Sequence, residues 1–98
     1  MKILLVDDEE VVIVTTRRFL EDLGHDVLST EDIGFALYSA KQFPFDALIT
    51  DFQMPGQNGL ELIEELRANG SCPPRVILMS GDQLDNLPDG VVFFKKAF

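Results

Sequence analysis

The segment of residues 46–63 constrains the fold more than any other part of this 98-residue chain. Residues 47–50, Ala-Leu-Ile-Thr, form an apolar run of the length typical of a buried strand, and Asp51 follows it directly. The Pro and Gly residues that come next predict a turn. Asn58 and Glu61 then have the spacing of a helix N-cap and its capping-box partner. This order predicts an open α/β fold that presents Asp51 at the carboxyl edge of a parallel sheet.

Other parts of the chain repeat this pattern of a short apolar run before polar side chains. Three such runs occur: residues 2–6 before Asp7 and Asp8, residues 75–79 before Ser80, and residues 91–94 before Lys95 and Lys96. A further short strand is expected at residues 25–29. Strands that alternate with helical segments predict a parallel sheet with helices on its faces.

The helical segments show apolar residues at helical spacing. The first is expected to run from Glu9 or Glu10 to Leu23, with an inner face that includes Phe19 and Leu23. The second is expected to begin after a cap at Ser29 or Thr30, and the third spans about residues 58–68.

Acidic side chains are expected to meet at the carboxyl edge of the sheet. If residues 2–6 and 46–50 form neighbouring parallel strands, Asp7, Asp8 and Asp51 occupy one small volume. Three carboxylates this close repel one another, and a cation is needed to keep them all ionised. A site built from carboxylate oxygens suits Mg²⁺, which shares its remaining positions with water and phosphate.

These motifs resemble the response-regulator receiver domains of two-component signalling. The resemblance is carried by four segments: residues 6–9 (Val-Asp-Asp-Glu), residues 50–59 (Thr-Asp-Phe-Gln-Met-Pro-Gly-Gln-Asn-Gly), residues 79–81 (Met-Ser-Gly) and residues 96–98 (Lys-Ala-Phe). It implies one receiver domain over residues 1–98, with a flavodoxin-like, doubly wound, five-stranded parallel sheet of order 2-1-3-4-5. It also implies a phosphoacceptor signalling protein that promotes only its own phosphorylation and dephosphorylation.

The resemblance assigns roles to individual residues. Asp51 is implied as the phosphoacceptor. Asp7, Asp8 and Asp51 are implied to hold Mg²⁺ together with the main-chain carbonyl of Gln53. Gly59 occupies the position of the family's glycine before the third helix.

The same resemblance implies a switch and a phosphate ligand near the end of the chain. Ser80 takes the place of the switch hydroxyl, Phe93 that of the switch aromatic and Lys96 that of the phosphate-binding lysine. Ala97 stands where the family has a proline after a cis peptide. A cis bond before alanine costs about 3 kcal/mol or more, so a trans bond and a displaced Lys96 form an alternative, in which Lys95 would be the ligand. The match to the family's Lys-x-Phe pattern favours Lys96.

The chain departs from the family towards its end. Residues 81–90 have room for one or two helical turns where the family has a full fourth helix, and the sequence stops at Phe98, before a fifth helix. Apolar side chains on the later strands should then be partly bare, which predicts a homodimer or a docking surface on that side. The alternative is that these residues are a shortened piece of a longer regulator.

The composition limits the classes of partner and the cellular location expected for this chain. A formal net charge of −9 argues against direct nucleic-acid binding, which depends on Lys and Arg. The single Cys72 allows no intramolecular disulfide, and no signal peptide or membrane-spanning stretch is present, so a cytoplasmic location is expected.

Three functions are compatible with these residues. The first is a receiver phosphorylated on Asp51 by a histidine kinase or phosphotransfer protein. The second is a degenerate receiver that acts as a non-catalytic dimerisation or interaction module. The third, a phosphohydrolase with an aspartyl intermediate, fits poorly because Asp7-Asp8-Glu9 lacks the Asp-x-Asp spacing of those enzymes.

Overall fold

The computed structural model describes residues 1–96 and contains one five-stranded parallel sheet. The strands are β1 (Lys2–Val6), β2 (Asp26–Thr30), β3 (Ala47–Asp51), β4 (Arg75–Ser80) and β5 (Val91–Lys95). Their order across the sheet is β2-β1-β3-β4-β5, and every neighbouring pair is parallel. The predicted flavodoxin-like sheet of order 2-1-3-4-5 is therefore confirmed.

Helices cover the two faces of this sheet unequally. They are α1 (Glu10–Asp22), α2 (Ile33–Gln42) and α3 (Gly59–Ala68). Alternate residues of each strand serve the two faces: Leu4 and Leu48 pack with α2 and α3, whereas Leu5 and Ile49 pack on the side of α1. One face is thus covered by two helices and the other by α1 alone, within the part of the chain that is described.

The inner face of α1 is narrower than predicted. Val12 and Ile13 are buried, but Phe19 and Leu23, which were expected to face the core, are 63% and 60% exposed. Helix α1 packs over β1 and β2, so Phe19 faces a part of the sheet that no helix covers among residues 1–96. The apolar spacing of α1 was predicted correctly, but within those residues no element buries Phe19 and Leu23.

The second helix begins later than predicted. Strand β2 continues to Thr30, which pairs with Val6, and so neither Ser29 nor Thr30 is the cap. Asp32 is the N-cap, and its carboxylate accepts a hydrogen bond of 2.8 Å from the backbone N–H of Gly34.

The third helix begins as the sequence predicts. The Asn58 side chain accepts from the N–H of Glu61, and the Glu61 carboxylate accepts from the N–H of Asn58, both at 2.9 Å. Gly59 follows directly and is buried against the end of β3. A Cβ at this position would clash with the carbonyl oxygen of Asp51 and would lie 2.9 Å from a methyl group of Leu78. Glycine is therefore what allows α3 to approach the strand that carries Asp51.

The segment that follows β4 contains less helix than the sequence predicts. Residues 81–90 form turns and bends without a helix, so the predicted shortening of the fourth helix extends to its complete loss. Among residues 1–96 only Lys96 follows β5, so the described residues contain no fifth helix. The question of a cis bond before Ala97 lies outside the described residues. None of the helices described is long and apolar enough to cross a membrane.

Gly59→Ala is predicted to destabilise the fold even though alanine favours helices by about 1 kcal/mol over glycine. The added methyl group meets a backbone carbonyl that cannot rotate away, and overpacking of this kind costs about 1–3 kcal/mol. We expect a lower Tm by thermal denaturation. The matched control is Gly81→Ala, whose Cβ would have no heavy atom within 4 Å. An equal Tm for the two variants would contradict the close approach.

Candidate functional site

The carboxyl ends of the strands bring the predicted site residues to one edge of the sheet. Val6 pairs with Thr50, so Asp7 leaves the end of β1 beside Asp51 at the end of β3. Ser80 pairs with Lys95 at the ends of β4 and β5. Parallel strands share one carboxyl edge, and this alignment therefore follows directly from the order of the sheet.

The predicted acidic cluster is present in the structure. Carboxylate oxygens of Asp7, Asp8, Glu9 and Asp51 all lie within 4.8 Å of one another. Asp7 and Asp51 are buried, whereas Asp8 and Glu9 are exposed. The backbone N–H of Glu9 donates to Asp7 Oδ1 at 2.9 Å, which holds the Asp7 carboxylate in place. Glu9 was not among the predicted site residues, although it directly follows Asp7 and Asp8 in the sequence.

Lys96 supplies a positive charge inside this cluster. Its Nζ lies 3.0 Å from Asp7 Oδ2 and 3.2 Å from Asp51 Oδ1, and 3.5 Å from Glu9 Oε1. Lys96 is buried, whereas Lys95 is exposed. The backbone N–H of Lys96 donates to the carbonyl of Ser80 at 2.8 Å, which continues the β4–β5 pairing by one residue. Lys96, the lysine that the family match favours, therefore lies next to Asp51, and Lys95 does not. The role of Lys96 as a phosphate ligand remains a prediction.

The electrostatics of the site oppose ionisation of Asp51. Burial raises the pKa of the Asp51 carboxyl, and the negative charges of Asp7 and Asp8 raise it further, while Lys96 lowers it without cancelling these effects. For Lys96, burial lowers the pKa of the ammonium group, but the hydrogen bond and charge of Asp7, together with Asp51, outweigh it and raise the pKa overall. The lysine is thus held in its charged form between two carboxylates.

A hydroxyl group lies at each of the two neighbouring strand ends. Ser80 is buried at the end of β4, and its Oγ accepts a hydrogen bond of 3.1 Å from the backbone N–H of Asp82. Thr50 is also buried, and its Oγ1 donates to the carbonyl oxygen of Asp51 at 3.0 Å. Thr50 was not among the predicted site residues, although its position directly before Asp51 in a buried strand indicates that its hydroxyl lies near the site.

Two predicted residues lie at the border of the site. Gln53 is exposed, two residues after Asp51 in the turn that precedes α3. Phe93 is half-buried in β5 and pairs with Leu78 of β4. The roles of both residues remain predictions.

The donor set fits a magnesium ion. Asp7, Asp8 and Asp51 offer only carboxylate oxygens, which are the ligands of a hard cation. Two of the three carboxylates are buried, and one lysine cannot balance the charge of the cluster. A divalent ion would relieve the repulsion that raises the pKa of Asp51.

Comparison with known proteins agrees with this geometry. The family described as the response regulator receiver domain matches residues 3–92. The chain belongs to this family. A receiver of this kind is a signalling domain of two-component systems rather than a conventional enzyme.

Individual relatives support the assignment. This receiver is 35% identical over 85 residues to the sensory/regulatory protein RpfC of Xanthomonas campestris pv. campestris, covering 84% of this chain and 12% of RpfC. It is 33% identical over 91 residues to the two-component response regulator PhoP of Pseudomonas aeruginosa, covering 93% of this chain and 40% of PhoP. The receiver thus spans well under half the length of either relative.

A solved structure extends the likeness to the three-dimensional fold. The response regulator TrrA of Thermotoga maritima, in complex with Mg²⁺-BeF, superposes with a TM-score of 0.82 at 27% identity, covering 95% of this chain and 85% of TrrA. A structural relative of this receiver therefore binds magnesium.

We predict that Asp51→Asn raises the Tm of the metal-free protein. A raised pKa means that the folded protein holds the Asp51 proton more tightly than the unfolded chain does, so ionisation at neutral pH costs folding free energy. Asparagine removes that charge at nearly the same shape. Thermal denaturation at pH 7 in a chelator should show a higher Tm for Asp51→Asn and no change for the exposed control Asp85→Asn. A lower Tm for Asp51→Asn would show that losing the ion pair with Lys96 costs more stability than removing the buried negative charge gains.

Magnesium is predicted to stabilise the folded receiver. An ion that binds only the folded state at about ten times its Kd adds about 1.4 kcal/mol, or roughly 6–11 °C in Tm for a domain of this size. Asp8→Asn should reduce this shift because it removes one carboxylate of the cluster. Glu10→Gln, an exposed carboxylate outside the cluster, should leave the shift unchanged. Equal magnesium-induced Tm shifts for the two variants would show that the ion binds outside the acidic cluster.

Proposed function

We propose that this receiver accepts a phosphoryl group on Asp51 and thereby switches a protein-interaction surface. The observation that carries the proposal is the position of the Asp51 carboxylate, buried at a strand end within an acidic cluster and 3.2 Å from the Lys96 ammonium. The donor would be a histidine kinase or a phosphotransfer protein. Similarity to part of the sensory/regulatory protein RpfC supports a partner of this kind.

The chemistry follows from the carboxylate. An oxygen of Asp51 attacks phosphorus, a P–O bond forms, and the P–N bond of the phosphohistidine breaks. The electron pair of that bond passes to the imidazole nitrogen, which then takes a proton from solvent. The product is an acyl phosphate on Asp51. Water that later attacks the same phosphorus releases inorganic phosphate and restores the carboxylate, so the receiver promotes only its own phosphorylation and dephosphorylation.

The side chains around Asp51 position the group and balance its charge. Magnesium bound by Asp7, Asp8, Asp51 and the main-chain carbonyl of Gln53 would supply the positive charge that offsets the phosphoryl oxygens. Lys96 would move its hydrogen bond from the Asp51 carboxylate to a phosphoryl oxygen, over a short distance because its Nζ is already within 3.2 Å of Asp51.

The switch would involve the ends of β4 and β5. The Ser80 hydroxyl accepts the N–H of Asp82, so its own hydrogen can be donated to the phosphoryl group. Movement of Ser80 would leave space behind it for Phe93, which is half-buried in the neighbouring strand. A new charge at Asp51 would in this way bias a two-state element.

The output surface would differ from that of a receiver with all its helices. Residues 81–90 lack a helix, so a partner that reads this side would meet a short loop and β5. We propose a cytoplasmic protein that acts through protein partners and not through direct contact with nucleic acid, in keeping with its charge of −9.

One observation favours the second function, a non-catalytic interaction module. Val92 and Phe94 of β5 are exposed on the face of the sheet that, among residues 1–96, carries only α1. A partner protein or a second copy could use this face whether or not Asp51 is phosphorylated. The two functions differ in their requirement for a competent Asp51.

Labelling with acetyl phosphate and magnesium tests the proposed function. The wild-type protein should form one acid-stable, hydroxylamine-sensitive phosphoprotein band in phosphate-affinity electrophoresis. Asp51→Asn should abolish the band, and Lys96→Ala should weaken it because the ammonium group is lost.

The matched control is Asp85→Asn, an exposed aspartate outside the acidic cluster, which should label as the wild type does. Unchanged labelling of Asp51→Asn would show that another residue accepts the phosphoryl group. A wild-type protein without any label would favour the interaction module.

A further inference from the structure

Glu9 belongs to the acidic cluster but has no part in the proposed phosphorylation chemistry. It is the N-cap residue of α1, a position from which a side-chain oxygen often accepts a hydrogen bond from the first turn of the helix. Within α1 (Glu10–Asp22), which the structure describes in full, no backbone N–H donates to the Glu9 side chain. The Glu9 carboxylate lies instead 3.5 Å from Lys96 Nζ. Its side chain is therefore directed to the site and not to its own helix.

Glu9 contacts the centre of the site in two ways. Its backbone N–H donates to Asp7 Oδ1 at 2.9 Å, and its carboxylate accepts from Lys96, which also donates to Asp7 Oδ2 at 3.0 Å. Both oxygens of the buried Asp7 carboxylate are thus engaged, one by the Glu9 backbone and the other by Lys96. The same ammonium group lies 3.2 Å from Asp51 Oδ1. A cation that binds Asp7 and Asp51 must therefore share their oxygens with Lys96.

Lys96 and a magnesium ion would compete for the same two carboxylates. The ammonium group contacts one oxygen of Asp7 and one of Asp51, and both residues are expected to hold the ion. Positive charges this close repel strongly where burial keeps water away, and the side chain of Lys96 is only 5% exposed. Binding of the ion therefore favours displacement of the ammonium group from these oxygens.

Glu9 is placed to receive the displaced ammonium group. Among residues 1–96, Lys96 forms ion pairs with Asp7, Asp51 and Glu9, and the contact with Glu9 is the longest of the three. The Glu9 side chain is 61% exposed, so it has room to follow the ammonium group. A shift of less than about 1 Å would bring these two groups to the roughly 2.7–2.9 Å of a charge-assisted hydrogen bond.

We propose that Glu9 is a positioning residue for Lys96, which holds the ammonium group at the solvent side of the site when magnesium occupies the acidic cluster. Glu9 then favours magnesium binding because it gives Lys96 a partner other than the two buried aspartates. This role rests on the proposed function only through the binding of magnesium, and it requires no phosphoryl group.

The effect of Glu9 through Lys96 can be separated from the effect of its own charge on the ion. In a rigid site, the attraction between Glu9 and the ion is the same with or without the charge of Lys96, because Coulomb energies act between pairs of charges. Glu9→Gln would then weaken magnesium binding by the same factor in both backgrounds. A larger factor in the presence of Lys96 requires that the lysine rearranges, and a double-mutant cycle measures this difference.

A magnesium titration followed by NMR on the full 98-residue chain measures this cycle. The four proteins are the wild type, Glu9→Gln, Lys96→Gln and the double variant, and backbone amide shifts give the magnesium Kd of each. Glutamine at position 96 keeps a hydrogen-bond donor without the charge. We expect Glu9→Gln to raise the Kd by a factor about two- to fivefold larger with Lys96 present than in the Lys96→Gln background, which is the size of an exposed ion pair.

The matched control is Glu10→Gln, which removes the next carboxylate in the chain, exposed and outside the acidic cluster. Its magnesium Kd should equal that of the wild type. Melting curves confirm that each variant is folded.

A second measurement follows Lys96 in the wild-type protein and does not depend on the stability of Lys96→Gln. Saturating magnesium should strengthen the NOE between the ε-protons of Lys96 and the γ-protons of Glu9, because the two side chains approach each other. The NOE from Lys96 to the β-protons of Asp51 should weaken at the same time.

Three results would overturn the role of Glu9. These are equal factors for Glu9→Gln in the two backgrounds, NOE intensities that magnesium leaves unchanged, or a larger factor in the Lys96→Gln background, which would identify Glu9 as a direct ligand of the ion. Absence of saturable magnesium binding by the wild type would refute the metal site and the proposed function with it. Normal magnesium binding with equal factors would refute only the role of Glu9.

Discussion

The buried ion pairs of Lys96 with Asp7 and Asp51 are the interaction on which the site depends. The chain places Asp7 and Asp51 in the interior, and burial together with the negative charge of Asp7 raises the pKa of the Asp51 carboxyl. The single ammonium group of Lys96 contacts both carboxylates and offsets part of the free-energy cost of burying them. The pairs also join β1 and β3 in the middle of the sheet to the end of β5 at its edge, across a sequence separation of 89 residues for Asp7 and Lys96. Lys96 therefore links distant strands of the sheet at the same place where the acidic cluster lies.

Much of this arrangement could be read from the sequence because it rests on local rules. Apolar runs of four or five residues marked the strands, and the rule that parallel strands share a carboxyl edge brought Asp7, Asp8 and Asp51 together. The capping box at Asn58 and Glu61 fixed the start of α3, since both hydrogen bonds form within four residues. Gly59 was recognised by its place in a family motif, and the reason for it, close approach to the Asp51 carbonyl, required coordinates.

Features set by tertiary context were harder to predict. The start of α2 depended on how far β2 stays paired with β1, so Asp32 rather than Ser29 or Thr30 became the cap. Phe19 and Leu23 continue the apolar periodicity of α1, but among residues 1–96 no helix covers them. The alternative of a displaced Lys96 was argued from the residue that follows it, whereas two carboxylates and the backbone pairing with Ser80 hold the lysine in place. Glu9 was overlooked because proximity to Lys96 arises from the far end of the chain.

The position of the exposed side chains of β5 has a thermodynamic consequence. Met79 is the neighbour of Ser80 in β4, and the exposed Phe94 lies two residues before Lys96 in the chain. The same two strand ends therefore carry apolar side chains on one side and, on the other, the groups that would contact a phosphate. If a protein partner on the apolar side and a phosphoryl group both shift these ends, the two binding equilibria are linked, and the coupling free energy must be the same in both directions. A partner that prefers the phosphorylated form would then prolong that form and so influence the lifetime of the signal that it reads.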